Sequence, residues 1–481
     1  MKRSAAVFGL AAVTLWLPGC MVGPKYTAPP VPTAPADRGQ LPASYKESEG
    51  WKPAQPGGPA LPQDWWQVFG NPELNDLETQ VDASNQAVKA AEASFREARA
   101  AISLNRANLY PTISTAPAVS TNIASRNSPT GTSTTGEYSN LVLPFDLSYE
   151  LDAWGRIRRM IAAAREEAQA SAADLATIRL SMHAELAVDY FELRSLDAQK
   201  QLLDRTLVAY QKALDLNQNR FAGGLTSGAE VAQARTQLET TRAQSIEVGV
   251  ERAQFEHAIA VLAGRTPESL SLAEAPLAST PPPIPTGVPS QLLERRPDIA
   301  STERRVAEAN QQIGITQAAF FPTLLITATG GYQSGSIINW FNWPSRFWAV
   351  GPAVLQTLFD AGRRRAASEA AGAAYDVTVA DYRGTTLQAF REVEDSLSAL
   401  RILERESAAQ HIAVEAAQHS LDLSMNRYTG GLVTYLEVIT TQSIALANQQ
   451  IEVDLLRRRM DACVLLIKAL GGGWDVSRLP S

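Results

Sequence analysis

Cysteine is nearly missing from this chain: Cys20 and Cys463 are the only two in 481 residues. With Cys20 at the end of an apolar leader, Cys463 is left alone, so no disulfide scaffold holds the fold. Cys463 lies in the apolar run Cys463-Val464-Leu465-Leu466-Ile467 and reads as a small buried hydrophobe. Histidine is equally scarce. His183, His257, His411 and His419 fall in no metal-ligand or catalytic spacing such as H-E-x-x-H. Phosphate-binding loops and nucleophile motifs are also missing, so no enzyme activity, metal or cofactor is expected. Beyond the first 19 residues nothing approaches about 18 consecutive apolar residues, which excludes a membrane-spanning helix. A basic patch is missing as well. The formal net charge is -7, which argues against nucleic acid as a partner.

Glycine and proline are unevenly placed, and their gaps organise the chain. Residues 156–222 contain neither, and the stretch ends in Arg220-Phe221-Ala222-Gly223-Gly224-Leu225-Thr226. The layout recurs 207 positions later: Gly362 stands for Gly155, and Arg427-Tyr428-Thr429-Gly430-Gly431-Leu432-Val433 stands for the turn. From the first glycine to the arginine is 65 residues in both copies. At ~1.5 Å per residue such a helix spans roughly 100 Å. Ordinary helices run about 8–20 residues, so this is a long-reach device that occurs twice.

The first 19 residues stand apart. Lys2 and Arg3 precede an apolar stretch from Ala5 to Leu17, and Leu17-Pro18-Gly19-Cys20 follows. This reads as a secretory signal, residues 1–19, removed on export. Leu-Pro-Gly-Cys resembles a bacterial lipobox, which implies lipidation of Cys20 by a diacylglycerol thioether and acylation of its freed amine. The alternative is a plain signal with an incidental cysteine. Met21, where inner-membrane retention would use Asp, favours the outer membrane. Removing Lys2 and Arg3 takes the net charge from -7 to -9.

Residues 20–70 are rich in proline and read as an extended, lipidated tether. Residues 71–264 and 298–470 read as two repeats, joined by a proline-rich linker at 265–297 and followed by a tail at 471–481. Glu73 to Tyr110 reads as one long Ala-rich helix. Thr112 to Ile123 is a weaker strand, separated from the next by a Ser/Gly/Thr-rich turn at 125–136. In that next strand Leu141, Leu143, Phe145, Leu147 and Tyr149 alternate with Val142, Pro144, Asp146, Ser148 and Glu150, giving one oily and one wet face. Leu324, Ile326 and Ala328 mark a third strand, and residues 347–358 a fourth. Trp340, Phe341, Trp343, Phe347 and Trp348 crowd the turn between them. Each half therefore reads helix, two strands, long helix, helix.

Four strands cannot close a barrel, and an open edge is not tolerated in lipid. Three chains would supply about twelve strands, an even-numbered closed barrel. The expected fold class is thus an α+β membrane protein. The fold expected, with its trimer and helical tunnel resting on the family resemblance that follows, is a trimeric 12-stranded outer membrane β-barrel, four strands per chain, continued by a long periplasmic α-helical barrel, with an internal two-fold repeat. Asp146 and Glu150 would line the barrel lumen or stand at its rim.

Five segments carry a family resemblance: Cys20-Met21-Val22-Gly23-Pro24-Lys25-Tyr26, Arg295-Arg296-Pro297-Asp298-Ile299, Ala318-Ala319-Phe320-Phe321-Pro322-Thr323, Arg427-Tyr428-Thr429-Gly430-Gly431, and Ala469-Leu470-Gly471-Gly472-Gly473-Trp474. In these the chain resembles the TolC family of outer membrane efflux channels, in particular the lipoprotein branch serving resistance-nodulation-division (RND) pumps. The resemblance implies a homotrimer in outer membrane lipid, whose helical tips close the tunnel until a periplasmic adaptor protein and an inner membrane RND transporter dock. It implies no chemistry and no cofactor. The family's tyrosine at the second tip matches Tyr428, and Glu437 matches one of its carboxylate positions. Thr440 stands where relatives commonly carry Asp, and Val433 where some carry Arg. Tyr428, Leu436, Glu437 and Thr440 are therefore expected to set the closed aperture, although Glu437 can also be read as a solvated helix-face acid. Arg220, Phe221, Gly223, Gly224, Arg427, Gly430 and Gly431 are expected at the tips that meet the adaptor. The expected function is passive conduction of drugs or other small toxic solutes across the outer membrane. A heavy-metal efflux channel, a protein-export channel and a soluble periplasmic coiled-coil scaffold are the alternatives.

Overall fold

The two halves of the chain build the same succession of elements. The first runs through α1 (Pro72–Ser84), α2 (Gln86–Ala107), β1 (Thr112–Ser114), β2 (Ala118–Ile123), β3 (Glu137–Leu151), α3 (Arg156–Ala222) and α4 (Gly228–Leu262). The second runs through α5 (Pro297–Ala318), β4 (Thr323–Ser334), β5 (Arg346–Leu355), α6 (Arg363–Thr429) and α7 (Tyr435–Ala469). Helices α3 and α6 have 67 residues each, and α4 and α7 have 35 each. The computed structural model describes residues 21–31, 44–47, 62–123, 125, 136–277, 280–284 and 292–480. Cys20, the leader before it and nearly all of the 125–136 turn lie outside these.

The chain divides into two units. One comprises Met1–Pro29, Phe95–Ser171 and Thr302–Tyr382; the other comprises Pro30–Ser94, Ala172–Ser301 and Arg383–Ser481.

The first unit holds an antiparallel sheet. β3 pairs with β1 and β2 along one side and with β4 along the other, and β5 lies outside β4. The single strand expected over Thr112–Ile123 is broken in two at residues 115–117. Pro117 has no N–H to give to the ladder. Together β1 and β2 fill one position, so the sheet has the four positions expected. The β3 alternation extends across the whole sheet. Ile113, Leu147, Ala328 and Val350 are in register on one face. Tyr149, Ile326 and Pro352 share that face, as do Phe145, Gly330 and Trp348. On the other face Ser114, Asp146, Thr329 and Ala349 are in register, beside Thr112, Ser148, Thr327 and Gly351.

Nothing among the described residues covers the apolar face. Ile113 is 68% exposed, Trp348 75% and Val350 65%. A soluble sheet buries such a face, and a contiguous exposed one marks a protein or membrane contact. Among the described residues the outer edges of β1/β2 and of β5 have no strand partner.

The segment after Cys20 is fixed onto this unit. Val22 N donates to Trp154 O at 3.1 Å. Arg159 Nε donates to Val22 O at 2.5 Å and Nη2 to Pro24 O at 3.2 Å. Gly23 has φ +107°, and a Cβ there would lie 2.6 Å from Gly314 Cα, so only glycine lets the segment lie so close. Tyr26 adds a hydroxyl bond to Glu303.

The second unit holds the main apolar core. Leu74, Leu77 and Val81 of α1 meet Leu186, Tyr190 and Phe191 of α3, Val393 and Leu397 of α6, and Val464 and Ile467 of α7. Cys463 is buried in this core, as its sequence neighbours suggested, and burial pushes its thiol up to about 12. The helix expected over Glu73–Tyr110 is instead two helices that break at Asn85. Asn85 is extended (ψ 130°), and its Oδ1 accepts from Ala87 N at 2.9 Å and Val88 N at 3.1 Å. Its Nδ2 donates to Leu262 O at 2.9 Å. A side-chain cap paired to another helix thus overrides the Ala-rich propensity. The Arg-Arg-Pro-Asp motif is explained here too. Buried Arg296 forks onto Asp298 at 2.6 and 3.0 Å, and its Nη1 reaches Glu392 at 2.7 Å and Ala469 O at 3.1 Å.

Candidate functional site

Each long helix ends in the same backbone closure. Leu225 N donates to Arg220 O at 2.8 Å and Gly224 N to Phe221 O at 2.9 Å. In the second half Leu432 N donates to Arg427 O at 2.9 Å and Gly431 N to Tyr428 O at 3.0 Å. This is the Schellman arrangement, which satisfies the last helical carbonyls through a left-handed residue. Gly224 (φ +72°) and Gly431 (φ +75°) supply it. Gly223 and Gly430 do not adopt positive φ; added Cβ atoms there would find their nearest neighbours at 3.6 and 3.4 Å. The two glycines of each doublet therefore have separate duties: the second shapes the turn, and the first keeps its surface small.

Behind the turns, four helices share a second apolar cluster. Tyr210 and Leu214 of α3, Leu238 of α4, Tyr428 of α6, and Tyr435 and Val438 of α7 are all buried in it. Tyr428, one of the residues expected to set the closed aperture, is only 2% exposed. Its hydroxyl donates to Asn217 Oδ1 at 2.6 Å and lies 3.3 Å from Glu230 Oε2. Its ring lies 5.3 Å from that of Tyr435, and the Arg220 guanidinium lies 4.8 Å from its centroid. Arg220 Nη1 also donates to Tyr428 O at 3.2 Å. Burial holds the Tyr428 hydroxyl above the usual phenol range, so it stays a donor. The side chain thus ties the second helical hairpin to the first.

The other aperture candidates lie further out. Leu436 is 57% exposed. Glu437 is half-buried and pairs with Arg427 Nη1 at 2.9 Å. Thr440 is exposed, and its hydroxyl donates to Leu436 O at 2.9 Å. Phe221, Leu225 and Leu432 present apolar surface at the turns.

The 207-residue repeat is broken at this point. Arg220 matches Arg427 and Glu230 matches Glu437, but Tyr428 matches the exposed Phe221 and Asn217 matches Ser424. The tie between hairpins is therefore made once. Asn217, Tyr210 and Tyr435 belong to no motif that marks them in the sequence. In the 207-residue overlay Asn217 falls on Ser424, another polar residue, and the structure buries both.

On the wet sheet face Asp146 is exposed between Ser114 and Thr329. Glu150 is not a free lumen acid. Arg156 forks onto it at 2.6 and 3.0 Å, where β3 gives way to α3.

Residues 78–265 and 288–472 match the outer membrane efflux protein family, one match per half. The chain is 32% identical over 470 residues to the toluene efflux pump outer membrane protein TtgF of Pseudomonas putida, with 96% of each chain covered. It is 32% identical to the pyoverdine export outer membrane protein OpmQ of Pseudomonas aeruginosa, over 86% of this chain and 88% of that one. Among solved structures, the outer-membrane channel OprN superposes with a TM-score of 0.86 at 26% identity, covering 95% of this chain and 100% of that one. VceC of Vibrio cholerae superposes with a TM-score of 0.80 at 29% identity, covering 86% and 100%.

Proposed function

Because the chain belongs to the outer membrane efflux protein family, we propose that three copies join sheet edge to sheet edge into one twelve-stranded pore. The protein is an outer membrane channel for efflux. The observation that carries the closure is the sheet itself, with an exposed apolar face, an opposite face that carries Asp146, Ser148, Thr327 and Thr329, and outer edges without a strand partner among the described residues. Asp146 and the Glu150–Arg156 pair then face the lumen. The long helices carry the conduit toward a periplasmic adaptor protein and an inner membrane RND transporter. The cargo is organic, in keeping with the toluene and pyoverdine exporters among the relatives. Lipidation of Cys20 fits the way Val22 is held by Trp154 and Arg159, just past the end of β3, where an acyl chain would meet the bilayer.

Leu436, Glu437 and Thr440 form the aperture surface, and Tyr428 holds their hairpin shut from behind. Tyr428→Phe leaves Asn217 Oδ1 buried without its donor, at a cost of about 1–3 kcal/mol. If that bond is lost on opening anyway, the closed state alone is weakened, and the open population should rise roughly tenfold. Single-channel recording in planar bilayers checks this; unchanged open probability in both Tyr428→Phe and Asn217→Ala would sink the role of the tie.

The glycine doublets give a second test. Gly223→Phe with Gly430→Phe should abolish drug resistance while trimers remain, because small surface at the turn is what an adaptor tip would meet. Gly224→Ala and Gly431→Ala should each lower stability by about 1–2 kcal/mol from backbone strain alone. Wild-type resistance in the phenylalanine double variant would count against an adaptor contact there.

A further inference from the structure

A cavity of about 530 Å³ opens in the first unit, where β3 passes into α3, α5 into β4, and β5 into α6. A volume of that order suits a small organic molecule. Its lining includes Glu150 and Thr323, which lie on the same face of the sheet as Asp146 and Thr327, and Thr357, which lies just beyond β5. Beside small and aliphatic residues, two further kinds of side chain line it.

The first kind is aromatic. Trp154 and Phe321 stack with centroids 4.8 Å apart and rings inclined by 27°. Trp154 Nε1 donates to Pro322 O at 2.7 Å, which fixes the indole and leaves its carbon surface as wall. Phe321 is 39% exposed, although it is large and apolar.

The second kind is ionic, and it is unbalanced. Every carboxylate lining the cavity is already held by an arginine. Glu150 is held by Arg156 at 2.6 Å, Asp152 by Arg158 at 3.0 Å and Asp360 by Arg364 at 2.6 Å. Asp152 also accepts from the N–H groups of Ile157 and Arg158. Arg363 is the arginine left over: it lines the cavity, is exposed and makes no ion pair among the described residues. It follows Ala361 (φ 52°) and Gly362 (φ +87°), two left-handed residues in succession that turn the chain sharply from β5 into α6.

We propose that this cavity is a transit subsite for aromatic organic anions, with Arg363 binding the anionic group and the Trp154–Phe321 stack holding the ring. A guanidinium offers paired donors that match a carboxylate or sulfonate, and an aromatic wall holds a flat ring without demanding one substituent pattern. The site would be met from the polar face, so the inference rests on the reading of that face as the lumen.

The test uses the whole protein, extracted in detergent, and three probes of one shape: 2-naphthalenesulfonate, neutral 2-naphthol and 2-naphthylmethylammonium. Isothermal titration calorimetry should rank the sulfonate tightest. Arg363→Gln should weaken sulfonate binding about tenfold, to the level of naphthol, and Arg363→Lys should recover part of it. Phe321→Leu should weaken all three probes alike. Sulfonate binding no tighter than naphthol, or unchanged in Arg363→Gln, would overturn the proposal. Conductance is recorded on the same preparations. Arg363-dependent binding in a protein that passes no current would keep the site and remove the channel reading; a conducting pore indifferent to the sulfonate would do the reverse.

Discussion

Ala328→Arg should abolish assembly in the outer membrane, and Thr327→Arg, one residue away, should not. This contrast is the largest effect expected of any single change. Ala328 is central in β4, flanked by Leu147 and Val350 on the apolar face. Thr327 is flanked by Ser148 and Gly351 on the polar face. An arginine turned to lipid at the bilayer midplane costs about 2–4 kcal/mol, and a trimer carries it three times. An arginine turned to water costs little. Trimer yield from purified outer membranes checks the pair. Equal yields would mean that the faces are assigned wrongly, whatever else the family shares.

Arg296→Met comes next, with an expected loss of about 3 kcal/mol. Breaking one side of a buried ion network costs about 3–5 kcal/mol, because the partners stay behind unpaired. Here the partners Asp298 and Glu392 keep side-chain exposures of 26% and 38%, so the lower end applies. Arg296→Lys should rescue little. One ammonium cannot fork onto Asp298 while reaching Glu392 and Ala469 O. Thermal unfolding of the detergent-extracted protein checks both variants. A loss below about 1 kcal/mol in Arg296→Met would reduce the motif to ordinary surface pairing.

The repeat was visible from glycine alone, because a left-handed closure leaves few other choices at Gly224 and Gly431. That constraint also places the helix ends, and the observed ends of α3 and α6 fall at Ala222 and Thr429. Strand polarity was equally readable, since a period of two in β3 obliges β4 and β5 to follow in register. What escaped the sequence depends on partners far along the chain. Asn85 breaks a helix through its bond to Leu262, 177 positions away. The Tyr428 side chain is fixed by Asn217, 211 positions away, which accepts its hydroxyl. Glu150 looked like a lumen acid, yet Arg156 neutralises it once β3 turns into α3. Single-residue chemistry gave the candidates; pairing between elements decided which are exposed, buried or neutralised.

The central claim is that one chain supplies a third of a barrel. Native mass spectrometry of protein extracted from outer membranes tests it most directly. A species of three protomers, stable in mild detergent, is the predicted result. A monomer that holds its sheet intact in solution would contradict it, because the open edges and the apolar face would then need no neighbouring copy.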